Sequence, residues 1–186
     1  MNINPLNEHI LKDVATRIKK KMELLWVSSK VTSLTEANLV FGLASVLGSE
    51  GYYCYLDVPF YDNIGESEGK GRYDLVALAS NLSSLLIIEV KTDIGNWEEE
   101  ISYDFRRLQN FKPTNFPYLT DKVKEKIKDI YIFSFHWTED IAKRDRLGYE
   151  NFGFGRISFE WRMIQEIIFE PDYNQKYFIL GIGKKL

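Results

Sequence analysis

A single cysteine stands in the whole chain, which excludes an intrachain disulfide and any cysteine-rich zinc site. That residue, Cys54, lies in the apolar run Tyr52-Tyr53-Cys54-Tyr55-Leu56, a setting expected to keep a buried thiol in a reducing cytoplasm. Long apolar stretches are missing too. None approaches the roughly 18 residues that a membrane span needs. Met1 to Lys21 carries scattered charge and no apolar core ahead of a cleavage-like site, so a soluble, cytoplasmic protein with no membrane partner is expected. Nor is there an excess of basic charge: 24 Lys and Arg against 27 Asp and Glu leave a formal net charge of −3. With a pI near 5.5 the chain has no global field that would attract any polyanion, and a nucleic-acid partner would need a local basic patch. Repeats, low-complexity segments and linkers are likewise absent. The 186 residues, 45% of them apolar and 15% aromatic, suit one continuous core and a single domain, 1–186.

Helical spacing opens the chain. From Glu8 to Trp26, apolar residues recur at Ile10, Leu11, Val14, Ile18, Met22 and Leu25, with lysines and acids between. A second helix is signalled by the capping-box pattern Ser33-Leu34-Thr35-Glu36 and runs through Leu39, Val40, Leu43, Val46 and Leu47 until Gly48 and Gly51. Three strand-like runs follow: Tyr52 to Phe60, Tyr73 to Ala79 and Leu85 to Lys91, with a polar loop of three glycines from Tyr61 to Gly71. Asn96 is placed to cap a further helix carrying Trp97, Ile101, Phe105 and Leu108, which Pro113 and Pro117 end. Asp129 to Trp137 is continuously aromatic and aliphatic, as a buried central strand would be. Beyond it, Thr138 to Glu150 is too polar to assign. Phe154 to Ser158 is expected as a short strand, Phe159 to Phe169 as a helix and Lys176 to Ile182 as a last strand.

Asp74 begins one of these strands, and Glu89 and Lys91 end the next. An antiparallel hairpin would bring all three to one end of a sheet. Glu89 and Lys91 are two apart and so share a face, with Ile88 and Val90 on the other. Charged residues that end a run as apolar as Leu85-Leu86-Ile87-Ile88 would be costly to bury unless paired or bound to a metal. Two carboxylates with no histidine or cysteine cluster beside them suit a hard cation, Mg²⁺ or Mn²⁺, more than zinc. Such an ion polarises a phosphate oxygen and lowers the pKa of a bound water, and a lysine beside it orients the hydroxide or stabilises charge on the phosphorus.

The string Arg72-Tyr73-Asp74-Leu75-Val76, a gap of 14 residues after Asp74, and then Ile88-Glu89-Val90-Lys91 resembles the PD-(D/E)xK nuclease superfamily of restriction endonucleases, phage exonucleases and junction resolvases. The resemblance implies an α/β fold with a restriction endonuclease-like core. That core is a central mixed sheet of four to five strands flanked by helices in αβββαβ order, spanning about 33–137. The helix 8–27 and the helix and strand of 154–183 would be additions. It implies Asp74 and Glu89 as metal ligands, Val90 as a ligand through its backbone carbonyl, and Lys91 as the catalytic lysine. A proline often precedes the aspartate in that family; Tyr73 stands there in this chain.

Many members also carry an acidic residue on the helix before the three strands, and Glu36 is the candidate for metal and catalysis. The capping box would by itself explain a glutamate at that position. Arg107 or Gln109 on the following helix, and Lys70 and Arg72 on the glycine loop, are candidate contacts to nucleic acid, although a solvated surface also needs such residues. The plainer reading is preferred elsewhere: His136 as a core histidine, Asp93 as a turn residue, and Tyr52, Tyr53 and Tyr55 as core. The function expected is an Mg²⁺- or Mn²⁺-dependent phosphodiesterase that hydrolyses DNA, with RNA the lesser candidate, and a homodimer would serve two strand cuts. The alternative is a catalytically inactive nucleic-acid-binding or protein-interaction module on the same fold.

Overall fold

A computed structural model describes residues 4–25, 36–62, 69–91, 97–113, 116, 118–148, 158–168 and 176–186. Helix α1 is Glu8–Leu25 and α2 is Glu36–Ser49; strands β1 Tyr52–Asp62, β2 Gly69–Ala79 and β3 Ser84–Lys91 follow. Helix α3, Trp97–Gln109, and the short α4, Asp121–Lys124, lead to β4, Asp129–Thr138. The chain then forms α5, Ile141–Gly148, and strands β5, Trp161–Ile168, and β6, Lys176–Lys185. The six strands make one mixed sheet in the order β1-β2-β3-β4-β6-β5, in which β3 and β4 are parallel and every other neighbouring pair is antiparallel.

Helices cover both faces. On one, Ile10, Leu11, Val14 and Ile18 of α1 and Leu39, Val40, Leu43 and Leu47 of α2 close over Leu75, Leu86, Ile88, Val90, Phe133 and Phe135. On the other, Ile101, Phe105 and Leu108 of α3 lie over Val76, Leu78, Leu85, Ile87, Ile132 and Leu180. The alternation of β3 thus splits it: its even-numbered residues face α1 and α2, and its odd-numbered ones, Glu89 and Lys91 included, face α3. The carboxamide oxygen of Asn7 accepts the Ile10 N–H at 3.0 Å and so caps α1. The Ser33 capping box, the Asn96 cap and the strand over 154–157 lie outside the described residues.

Two expectations are corrected. The sheet has six strands instead of four or five, because the segment Phe159 to Phe169, expected as a helix, forms strand β5. Met163, Ile164, Ile167 and Ile168 meet helical spacing, but period two is the one that is used. Met163 and Ile167 are buried against the α1 side, while Ile164 and Ile168 remain exposed. The backbone of β6 supplies the partners that decide between the two periods, pairing Met163 with Gly181 and Ile167 with Tyr177. The polar stretch after β4 contains α5, whose first turn is capped by the Asp140 carboxylate accepting the Ala142 N–H at 2.8 Å and whose Leu147 is buried.

Gly181 allows β6 to sit beside the aromatic row of β4. A Cβ added there would meet Cδ1 and Cε1 of Phe135 at 2.5 Å, and neither the ring, buried under α1 and α2, nor the strand has room to yield. Gly181→Ala is expected to destabilise the fold by about 1–3 kcal/mol through overpacking. Urea unfolding tests this, and an unchanged midpoint would contradict it.

Candidate active site

The site is built where backbone pairing of β2 with β3 stops. The ladder runs from Leu78↔Leu85 to Leu75↔Ile88, so the next residues in register are Asp74 and Glu89. There the Asp74 side chain takes over from the backbone: its Oδ2 accepts the Val90 N–H at 2.7 Å. On the other side of β2, the β1 ladder is interrupted at the same point, between Leu56↔Leu75 and Val58↔Tyr73. Opposite Asp74 stands Asp57, whose φ of 52° is left-handed, a conformation that aspartate tolerates better than most residues. Alternation is broken at this point, and Tyr73 packs on the α3 side, its ring edge-on to Phe111 at 5.9 Å. Tyr73, in the place of the common proline, is therefore a core residue.

Helix α3 supplies the roof. Ile101, Asp104, Phe105 and Leu108 follow i, i+3, i+4, i+7 spacing, so Asp104 falls inside the apolar stripe and is buried with it. Its Oδ2 lies 3.5 Å from Lys91 Nζ and its Oδ1 lies 3.3 Å from Arg107 Nη2. The same Arg107 nitrogen donates to Glu89 Oε1. Five side chains, Asp74, Glu89, Lys91, Asp104 and Arg107, thus form one charged cluster between the sheet and α3.

Burial governs its electrostatics. Glu89 is 1% exposed, and desolvation pushes its carboxyl up to about 9. The Arg107 guanidinium opposes this; the nearby Asp74 and Asp104 charges and a hydrogen bond with Asp74 reinforce it. For Lys91, burial pulls the ammonium down, but Asp104, Glu36, Asp74 and Glu89 together outweigh it and hold the group above its usual value. Desolvation raises Asp104, against the pull of Lys91 and Arg107.

The structure brings together Asp74, Glu89 and Lys91, and it engages Arg107, expected as a nucleic-acid contact, with Glu89 and Asp104. Val90 takes part through its N–H. Glu36, half-buried at the first turn of α2, packs with the opposite face, and it reaches the cluster as a charge acting on Lys91. Gln109, about 200° around α3 from Arg107, points away from the cluster. Arg72 is exposed and held by Asp57: its Nη2 donates to the Asp57 carbonyl at 2.8 Å and its Nε to the carboxylate. The Lys70 side chain and Asp93 lie outside the described residues. His136 is fully buried, as a core histidine, beside Lys91 in the β3–β4 ladder. Asp104 was visible in the sequence only as one polar residue among several; its place within the apolar stripe was the signal.

Asp74 and Glu89 offer oxygens to one point and are the residues that could hold a metal. Among the described residues, no group of three or more His, Cys, Asp or Glu side chains is arranged to do so. Comparison of the chain with protein-family models, with curated proteins and with solved structures finds no match, so a reading of this cluster rests on its own geometry.

The sign of the Glu89 shift makes a pH prediction. The folded protein keeps the Glu89 proton to about 9 while the unfolded chain releases it near 4.5, so this residue's contribution to stability is complete below 4.5 and is lost as pH rises towards 9. Glu89→Gln cannot titrate. The melting temperature of the wild type relative to Glu89→Gln should fall by several degrees between about pH 5 and about pH 9. A difference that stays flat across that window would contradict a proton-holding Glu89.

Proposed function

We infer that this chain is a metal-dependent nuclease of the PD-(D/E)xK type that hydrolyses phosphodiester bonds in DNA, with RNA the lesser candidate. One observation carries the reading: Asp74, Glu89 and Lys91 converge on one face at one end of the sheet, with Asp74 bound to the backbone between the other two. The general setting agrees, since a mixed sheet with helices on both faces is the architecture that such a site would occupy.

The donor set fits a hard cation. Two facing carboxylates, one of them driven by burial and by its neighbours towards holding a proton, form a place where a divalent ion can replace that proton. Asp74, Glu89 and the Val90 carbonyl would hold it, while Glu36 acts from α2 only as a charge on Lys91; Mg²⁺ or Mn²⁺ is the ion expected. When bound, it would polarise a phosphate oxygen and lower the pKa of a coordinated water.

The protein's own residues then divide the work. Lys91 stays protonated because Asp104 contacts it and the charges of the nearby carboxylates outweigh its burial, so it serves as a fixed positive charge for the developing phosphorane and not as a base. Asp104 positions the Lys91 ammonium from the roof. Arg107 shares itself between Glu89 and Asp104, so a cation arriving at Glu89 would leave it held by Asp104. Ile87, fully buried two residues before Glu89 on the same face, helps to exclude water and so strengthens each of these interactions.

Two measurements test the reading. At ten times its dissociation constant, Mg²⁺ or Mn²⁺ should stabilise the protein by about 1.4 kcal/mol, seen as a rise in melting temperature that Asp74→Asn removes. Linear, circular and single-stranded DNA should be cut in the presence of either ion, and Glu89→Ala or Lys91→Ala should lower the rate by at least about a hundredfold without unfolding the protein. If the wild type binds DNA and cuts none of these substrates with either ion, the enzyme reading falls, and a binding module on the same fold takes its place.

A further inference from the structure

The tyrosines of β1 were expected in the core, and for two of them the structure overturns this. Tyr52 and Cys54 do pack against the α1 and α2 side. Tyr53 and Tyr55 point to the other face and are 55% and 50% exposed. Their register explains why. Tyr53 pairs with Leu78 and Tyr55 with Val76, both on the α3 face of the sheet, but α3 packs mainly on β3 and β4 and leaves this part of β1 open, while Val58 further along the strand is buried.

The open strip leads to the charged cluster. Val76 is two residues from Asp74 on the same face, so Tyr55 lies one strand across and two residues along from Asp74, about 8 Å between Cα atoms. Tyr53 lies about 7 Å further out on the same line. Across the site, Tyr103 of α3, 68% exposed, stands four residues before Arg107 on the same flank of the helix. Tyr55 and Tyr103 therefore stand on two sides of one cluster of carboxylates, a lysine and an arginine, with Tyr53 further out on the line of Tyr55.

Resting on the nuclease reading above, we propose that Tyr53 and Tyr55 form a stacking platform that leads a single-stranded nucleic acid into the Asp74–Glu89–Lys91 site. Two rings spaced along one strand can each stack with one of two successive bases, with no requirement on base identity. Stacking favours this substrate over a duplex, whose bases are already paired and stacked on one another. Duplex binders draw most of their affinity from basic side chains on phosphates, whereas this chain carries a net charge of −3 and its exposed Arg72 is already engaged by Asp57. Stacking supplies affinity that does not depend on net charge. The tyrosine hydroxyls keep the rings wettable when no substrate is present, which suits an exposed position on an edge strand.

The platform is tested by binding without cleavage. In EDTA, a fluorescent oligo(dT) of about 20 nucleotides and its duplex with oligo(dA) are titrated with the wild type, the double variant Tyr53→Thr/Tyr55→Thr, and Tyr53→Phe/Tyr55→Phe. Threonine keeps strand propensity on a solvent face, so the fold survives, and circular dichroism checks it. The expected result has three parts: tighter binding to the single strand than to the duplex, a loss of about tenfold or more in the threonine variant, and near-wild-type binding in the phenylalanine variant. Unchanged binding by the threonine variant, or a preference for duplex, would overturn the proposal. So would a wild-type dimer in sedimentation equilibrium that the threonine substitutions dissociate, because the face would then be an interface between copies. Cleavage in Mn²⁺ is scored separately. Tyrosine-dependent binding without any cleavage supports the platform and removes the nuclease; cleavage with tyrosine-independent binding does the reverse.

Discussion

A carboxyl group buried to 1% exposure at the end of an apolar strand is the constraint around which this molecule is arranged. Taking a carboxylate out of water costs several kcal/mol unless partners replace the solvent. Arg107 reaches Glu89 from α3, Asp74 shares a hydrogen bond with it from β2, and its own affinity for a proton rises. Those partners need holders in turn. Asp104 sits in the apolar stripe of α3 with Lys91 of β3 beneath it and Arg107 one turn along the same helix. Apolar residues of equal volume often fasten two elements as well as a buried ion-pair network does.

The sheet permits this by treating its two faces differently. Beneath α1 and α2 it is apolar and closed, with Phe133 and Phe135 stacked at 6.2 Å between centroids and packed over Gly183 and Gly181. Beneath α3 it is apolar at one end and charged at the other, and it is open along β1. Both ladders that flank β2 stop or break at Asp74, with Asp57 in left-handed backbone on one side and the Asp74 carboxylate replacing a backbone acceptor on the other. The break in pairing leaves the Asp74 carboxylate to accept the Val90 N–H and fixes its direction.

Much of this was legible in the sequence. The two-residue spacing of Glu89 and Lys91 decided their common face, since strand alternation is local geometry. The short connection Ser80 to Ser84 decided that Asp74 would lie opposite them. Arg107 was within reach of the same logic as a polar residue on the helix after β3. Asp104 was harder to see because helical spacing alone does not say which polar residue within a stripe will find a buried partner. The β5 segment was misread because Met163, Ile164, Ile167 and Ile168 satisfy both periods, and only the neighbouring β6 backbone chooses between them.

Tyr53 and Tyr55 mark the limit of local inference most clearly. Apolar residues on a strand identify two faces but not which is covered, because cover depends on how far a helix from elsewhere in the chain extends over the sheet. The amino-acid sequence by itself determined the charged triad, its face and its order along two strands, all consequences of covalent spacing. Only the tertiary structure decided that Asp104 and Arg107 would close over Glu89, that β5 would be a strand, and that two tyrosines would stay in water beside the site. Those outcomes turn on long-range packing, where the free energy of a residue depends on partners distant in sequence.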